Sequence, residues 1–266
     1  MSKQCVWDDF ACWSQCRIAR SPEAFVVTSF PYENEPWGQS FIESLGPLDG
    51  KDVLDVGCGL GYFSVYAAKS GAKVIGIDLR FKMLTAAHSI AEINGIECQY
   101  HQANICRLPF ANDSFDIIVG MDILHHLSKP DLGRGLSELH RVLRQRGHAL
   151  FIEPVENSRM FNFIQNVFPA GRKHSNYYRP SCLCLRAWAR YVAKEDGRDL
   201  TSRELVSAGA PFRKVSVRSF GLLNRLDRFF TDRRLISLMH VADHYILRLL
   251  PVLKRYSRQV FVEYRK

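Results

Sequence analysis

The feature that most constrains this chain is an alternation, from residue 53 to residue 154, of short apolar runs with helix-forming segments. VLDVG (53–57) is rich in β-branched residues and reads as a buried strand, and GYFSVYAAKSG carries a helix ending at Gly71. KVIGID (73–78) is a second strand, followed by the helix RFKMLTAAHSIAEING, closed by Asn94-Gly95. IECQYHQ (96–102), FDIIVGM (115–121) and HALFIEP (148–154) read as three more strands. Between the last two, DLGRGLSELHRVLR places apolar residues at 132, 136, 139 and 143, a helical spacing. Units of this kind need a parallel sheet covered on both faces.

After Pro154 the alternation lapses. Residues 156–200 are too long for a simple connection and read as an insertion over the active site. TSRELVSAG opens on a capping box at Thr201 and Glu204, and RKVSVRSF (213–220) and SRQVFVEYRK (257–266) look like two final strands. The expected architecture is α/β, a Rossmann-like, seven-stranded, mostly parallel sheet with helices on both faces and helical insertions capping the substrate. It divides into an N-terminal helical cap (1–49, with a helix near 36–45), a ligand-binding core (50–155) and the rest of the sheet (156–266). Insertions 156–200 and 221–256 in that last part form the substrate cap.

The turn after the first strand, DVGCGLGYF (55–63), is where such folds hold a nucleotide. The dinucleotide pattern G-x-G-x-x-G fails, because Gly57, Gly59 and Gly61 are followed by Tyr62 where the third glycine belongs. The phosphate-loop pattern is absent, since no Gly-Lys-Ser/Thr follows. What remains is an acid before the turn, Asp55, and another at the end of the second strand, Asp78. A carboxylate at Asp78 can accept both hydroxyls of a ribose, Asp55 suits a cationic amino group, and the glycines admit a close ligand. A ribose, an ammonium group and no phosphate describe S-adenosylmethionine.

VLDVGCGLGYFS, VIGID, ANICRLPFANDSFDIIVGMDILHHL and LRQRGHALFIEP together resemble the class I S-adenosylmethionine-dependent methyltransferases. Within them the chain looks most like the small-molecule branch that includes ubiquinone and menaquinone C-methyltransferases. The likeness covers about residues 50–155. It implies that Gly57, Cys58, Gly59 and Gly61 line the methionine and ribose of the cofactor, with Asp55 near its amino group. Asp78 would hold the ribose diol, and Leu79 and Met83 would pack near the adenine. Asn104 would accept from the adenine amino group in place of the more usual Asp, and the backbone of Ile105 would read the ring edge. Met121 would lie beside the sulfonium.

Methyl transfer needs in-line positioning, and it needs a general base only when the acceptor loses a proton. MDILHHL follows the fourth strand where base-methylating relatives carry [DN]-P-P-[FYW], which argues against adenine and glutamine acceptors. His125 and His126 stand there as candidate bases. Tyr32 and Trp37 near the N-terminus, and His174, Tyr177, Tyr178 and Arg179 in the insertion, are candidates to contact the acceptor. Asp116, at a strand start, reads as structural.

The eight cysteines suit free thiols in a reducing compartment, and their spacing gives neither a zinc set nor an iron–sulfur triad, so no metal is expected. With no run of about 18 apolar residues and no signal-peptide pattern at MSKQCVWDDF, a cytoplasmic chain is expected. The net charge of +9 arises in residues 211–266, which hold 13 Lys/Arg and 4 Asp/Glu. The basic amphipathic helix expected within 233–256 either packs its apolar stripe on the protein itself or rests on a membrane or an acidic acceptor. The leading expectation is methylation of oxygen or carbon on a fairly apolar small molecule. The alternatives are a cofactor-binding protein without methyl transfer and, prompted by charge alone, an RNA methyltransferase, which lacks any recognisable RNA-binding module.

Overall fold

The computed structural model describes residues 3–33, 37–155, 200–223, 233–257 and 259–266. Seven strands form one sheet: β1 (Asp52–Val56), β2 (Lys73–Asp78), β3 (Gln99–Gln102), β4 (Phe115–Met121), β5 (Leu143–Pro154), β6 (Lys214–Phe220) and β7 (Gln259–Arg265). Their order is β3-β2-β1-β4-β5-β7-β6. The first five are parallel, and β7 runs antiparallel between β5 and β6. This is the expected Rossmann-like sheet. β1 has β2 on one side and β4 on the other, so the connections diverge at its carboxyl end and open a crevice there.

Strand periodicity distributes the core. Leu54, Val56, Ile118 and Phe151 face a cluster completed by Leu132, Leu136 and Leu139 of α5 (Lys129–Val142) and Leu205 of α6 (Ser202–Ala208). Val53, Ile117, Val119, Leu150 and Ile152 face the opposite side. There they meet Phe41 and Leu45 of α2 (Gly38–Leu45) and Phe63 and Ala67 of α3 (Tyr62–Lys69). A third cluster joins α3 and α4 (Phe81–Ile93) to Ile18 of α1 (Lys3–Arg20). The capping box at Thr201 and Glu204 forms as expected, both bonds present.

Helix α1 is the main addition to the sequence reading, which left residues 1–33 without a defined element. Its apolar residues Trp7, Phe10, Ala11, Trp13 and Ile18 spread over nearly half the circumference at about 100° per residue, so no narrow stripe marks it. It packs on α4. The third strand is also shorter than its apolar run, starting at Gln99.

At the amino end of the sheet, Arg144 Nη1 donates to Asp52 Oδ2 at 2.7 Å and to Asp116 Oδ2 at 2.8 Å. The Asp52 N–H also donates to Asp116 Oδ2, at 3.0 Å. Asp116 thus ties the start of β1 to the starts of β4 and β5. Because Arg144 is more than a third exposed, water screens the pair. Asp116→Ala should lower the unfolding free energy in urea by about 1 kcal/mol, and a loss above about 3 kcal/mol would contradict this placement.

Candidate active site

The described turns at the carboxyl ends of β1, β2, β3 and β4 border the crevice, and Glu153 lies near the end of β5. The glycine turn follows β1. Gly57, Gly59 and Gly61 all have left-handed φ values, of 67°, 54° and 75°. The reasons for the three glycines differ. A Cβ on Gly57 would lie 2.7 Å from Ile123 Cδ1, and one on Gly61 would collide with the Tyr100 hydroxyl. A Cβ on Gly59 would meet only Met83 Cε at 3.5 Å and the Gly57 carbonyl at 4.0 Å. Gly59 therefore leaves ligand space open, while its two neighbours are also required by the protein's own packing. Cys58 shares the turn through its backbone, donating to the Ile77 carbonyl at 2.9 Å. Its sulfur turns back toward β2, 3.1 Å from where Gly76 lacks a Cβ, and burial pushes its thiol pKa up.

Asp78 closes β2 against this turn. One carboxylate oxygen accepts from Gly59 N–H at 3.1 Å and the other from Arg80 N–H at 2.9 Å. Burial raises its pKa despite these bonds. Each oxygen keeps a second lone pair for a ligand hydroxyl. Beside it, Leu79 is 59% and Phe81 68% exposed, and Met83 is buried with its methyl at the Gly59 opening. Phe81 was not among the sequence candidates. Its signal was an aromatic residue on the polar side of an amphipathic helix.

Asp55, expected near the cofactor's amino group, is buried near the end of β1, and one of its carboxylate oxygens accepts from Ser64 Oγ in the first turn of α3 at 2.6 Å. Burial, opposed by that hydrogen bond, pushes its pKa up to about 7. The Asn104 amide oxygen accepts from Cys106 N–H at 2.9 Å, a local turn of the kind asparagine favours, and keeps its second lone pair. Ile105 is buried, with its side chain against Gly135 of α5. The loop holding both starts at Ala103, whose N–H donates to the Asp78 carbonyl at 3.2 Å.

The β4 exit is the part that the sequence reading resolved least. Met121 ends the strand half-buried beside the second core cluster. Asp122 then takes a left-handed φ of 54°, unusual for a non-glycine residue and costing about 1 kcal/mol. Ile123 fills the space left by Gly57 and shares with Phe151 the space beside Gly120. A fully buried carboxylate, Glu153 at the end of β5, gathers the N–H groups of the next turn. It accepts from Ile123 at 3.0 Å, Leu124 at 2.7 Å and His125 at 3.2 Å. The His125 Nδ1 lies 2.9 Å from Glu153 Oε2. His126 is exposed, its ring 4.0 Å from that of His125 and edge-on to Trp7 of α1 at 6.2 Å. Glu153 was missed, although LFIEP has the same form as VLDVG and VIGID: an apolar strand ending in an acid.

Of the other candidates, Trp37 is 3% exposed and packs with Phe30, Tyr32 and Phe41 in the second core cluster. Tyr32 lies partly buried at the edge of the same cluster. Both are built into the sheet's helical face. His174, Tyr177, Tyr178 and Arg179 lie outside the described residues.

A methyltransferase-domain family model matches residues 53–147. A ubiquinone biosynthesis O-methyltransferase from Hahella chejuensis is 31% identical over 168 residues, covering 60% of this chain and 69% of that protein. The chain belongs to the class I S-adenosylmethionine-dependent methyltransferases. The enzyme of the same name from Ralstonia nicotianae is 31% identical over 162 residues, covering 56% of this chain and 66% of that one. Both are named as O-methyltransferases, where the sequence resemblance pointed to C-methyltransferases. Among solved structures, an S-adenosylmethionine-dependent methyltransferase from Mesorhizobium loti superposes with a TM-score of 0.54 at 22% identity. It spans 87% of this chain and 98% of its own. The geranyl diphosphate C-methyltransferase of Streptomyces coelicolor, solved with S-adenosyl-L-homocysteine, gives 0.54 at 16%, covering 85% and 74%. At these identities the structures establish the fold.

The residues present in this methyltransferase fit S-adenosylmethionine. Gly59 opens the turn, Asp78 supplies ribose acceptors, Leu79 and Phe81 offer apolar surface, and the turn itself carries no lysine for a phosphate. The raised pKa of Asp55 has a consequence for stability. The folded state holds its proton up to about pH 7 and the unfolded chain releases it near 4, so the folded form is penalised as pH rises through that window. Asp55→Asn should therefore gain stability relative to the parent between pH 5 and pH 8, by up to about 4 kcal/mol in urea denaturation without ligand. A pH-independent difference would contradict the assignment.

Proposed function

We propose that this methyltransferase acts on an oxygen or carbon of a fairly apolar small molecule such as a quinone, a phenol, a polyketide or a lipid-like acceptor. The observation that carries the reading is His125, held against the buried carboxylate of Glu153 in the turn leaving β4. The likeness to the ubiquinone O-methyltransferases supports an oxygen acceptor of quinone or phenol type.

When bound, the cofactor supplies a methyl carbon on a sulfonium, open to in-line displacement. Asp78 fixes the ribose end, and the open face of Gly59 with Met83 seats what lies above the turn. Met121 borders the crevice between that seat and His125. Nδ1–H donation to Glu153 selects the tautomer that leaves the lone pair on Nε2, the nitrogen suited to take an acceptor proton. The same carboxylate holds the backbone of residues 123–125, so ring and loop are positioned together. His126 borders this site on the side of Trp7 and contributes to acceptor contact.

Purified protein incubated with methyl-labelled cofactor and a panel of phenols, quinones and lipid-like acceptors, with RNA as a further arm, tests the reading. Label should pass to a phenol or quinone with release of S-adenosylhomocysteine. His125→Ala should lower kcat by about 10²-fold or more while cofactor affinity stays within about twofold. Tight cofactor binding with no transfer to any acceptor would favour the non-methylating alternative, and transfer to RNA alone would replace the small molecule.

A further inference from the structure

Among the described residues, helix α7 (Arg233–Leu249) is held from the side of Asp243 and Leu247. Asp243 is buried, its two carboxylate oxygens accepting from Gly221 N–H at 2.9 Å and Leu223 N–H at 2.7 Å, and Leu247 is buried one turn on. At about 100° per residue, Leu238, Val241, Tyr245 and Leu249 form a stripe on the opposite side of the helix. They are 66%, 53%, 57% and 76% exposed. Leu250 and Val252 extend this apolar surface, also more than half exposed, into the turn Pro251–Tyr256. Met239, Ala242 and Ile246 are partly buried, so among the described residues the helix packs one part of its apolar surface on the protein and leaves Leu238, Val241, Tyr245 and Leu249 open.

We propose that α7 and the turn after it dock on an anionic lipid bilayer, with the helix lying in the interface. Charge selects the occupant. Residues 233–256 hold five Lys/Arg and a single acid, Asp243, which is buried and fully engaged. Arg248 and Lys254 are exposed beside the stripe. An apolar stripe flanked by cations and, within residues 233–256, free of exposed carboxylates is the pattern of an interfacial helix on acidic lipid. A second copy of the chain is disfavoured, because a twofold interface would set this cationic surface against itself. A nucleic acid is disfavoured because the stripe is aliphatic apart from Tyr245, with no row of aromatic rings for stacking. Among the described residues no helix is long and apolar enough to cross a membrane, so the contact is peripheral.

The place of the helix gives the contact a use. Phe220, the last residue of β6, pairs with Gln259, which pairs in turn with Pro154 at the end of β5. Asp243 therefore pins α7 at the same end of the sheet as Glu153 and His125, with β7 between β6 and β5. A bilayer under α7 lies near the mouth of the active site, where a membrane-dissolved acceptor would enter. That use rests on the proposed reaction, whereas the docking surface rests on α7 alone.

Co-sedimentation of the full chain with vesicles of phosphatidylcholine alone, or with about 30% phosphatidylglycerol, tests the proposal. Partitioning onto the anionic vesicles should be about tenfold stronger or more and should fall as salt is raised. Leu238→Gln with Leu249→Gln, and separately Arg248→Gln with Lys254→Gln, should each reduce it about tenfold with S-adenosylhomocysteine affinity unchanged. Equal partitioning onto both vesicle types, or anionic binding retained by both double variants, would overturn it. So would a lipid-free dimer split by the leucine pair, which would assign the stripe to a second copy. The methyl-label assay with a water-soluble phenol fails or succeeds independently of these outcomes.

Discussion

The site depends on one hydrogen bond, from Gly59 N–H to the Asp78 carboxylate at 3.1 Å. It joins the turn after β1 to the end of β2 and so fixes the distance between the opening over Gly59 and the acceptor set for a ribose. The same carboxylate takes Arg80 N–H, which orders the start of α4 and brings Met83 to the opening. Partly buried and surrounded by backbone donors, it is a preorganised group whose dipoles need little rearrangement when a ligand arrives.

A second carboxylate does the same for the other half of the crevice. Glu153 collects three backbone N–H groups and His125, so the β4 exit cannot relax without leaving buried polar atoms unsatisfied. The halves are coupled by Ile123, which occupies the volume that Gly57 leaves empty and shares with Phe151 the volume beside Gly120. The glycine turn and the histidine turn, to which we assign cofactor and acceptor respectively, thus share one side chain. The left-handed conformation of Asp122 is the local strain that permits this path.

The sheet was legible in the sequence because parallel strands buried on both faces leave continuous apolar runs; all seven strands were found, although β5 starts at Leu143, five residues before its expected run. Helix α1 was not, because its apolar residues follow no narrow stripe. The cofactor was legible through Gly57, Gly59, Gly61 and Asp78, since left-handed turns and a strand-end acid restrict residue type strongly. Spacing alone could not reveal that Asp55 accepts from Ser64 or that Asn104 accepts from Cys106 N–H. Nor could it reveal Glu153, whose partners are backbone groups nearly 30 residues away. Those are facts of tertiary approach, and only side-chain direction separates a ligand contact from a structural one.

Titration calorimetry of S-adenosylhomocysteine against the parent protein and Asp78→Ala tests the central claim most directly. The account predicts saturable binding by the parent and a loss of about tenfold or more in the variant, with the fold intact by circular dichroism. Equal affinity in both proteins, or binding of NAD in preference to S-adenosylhomocysteine, would contradict it.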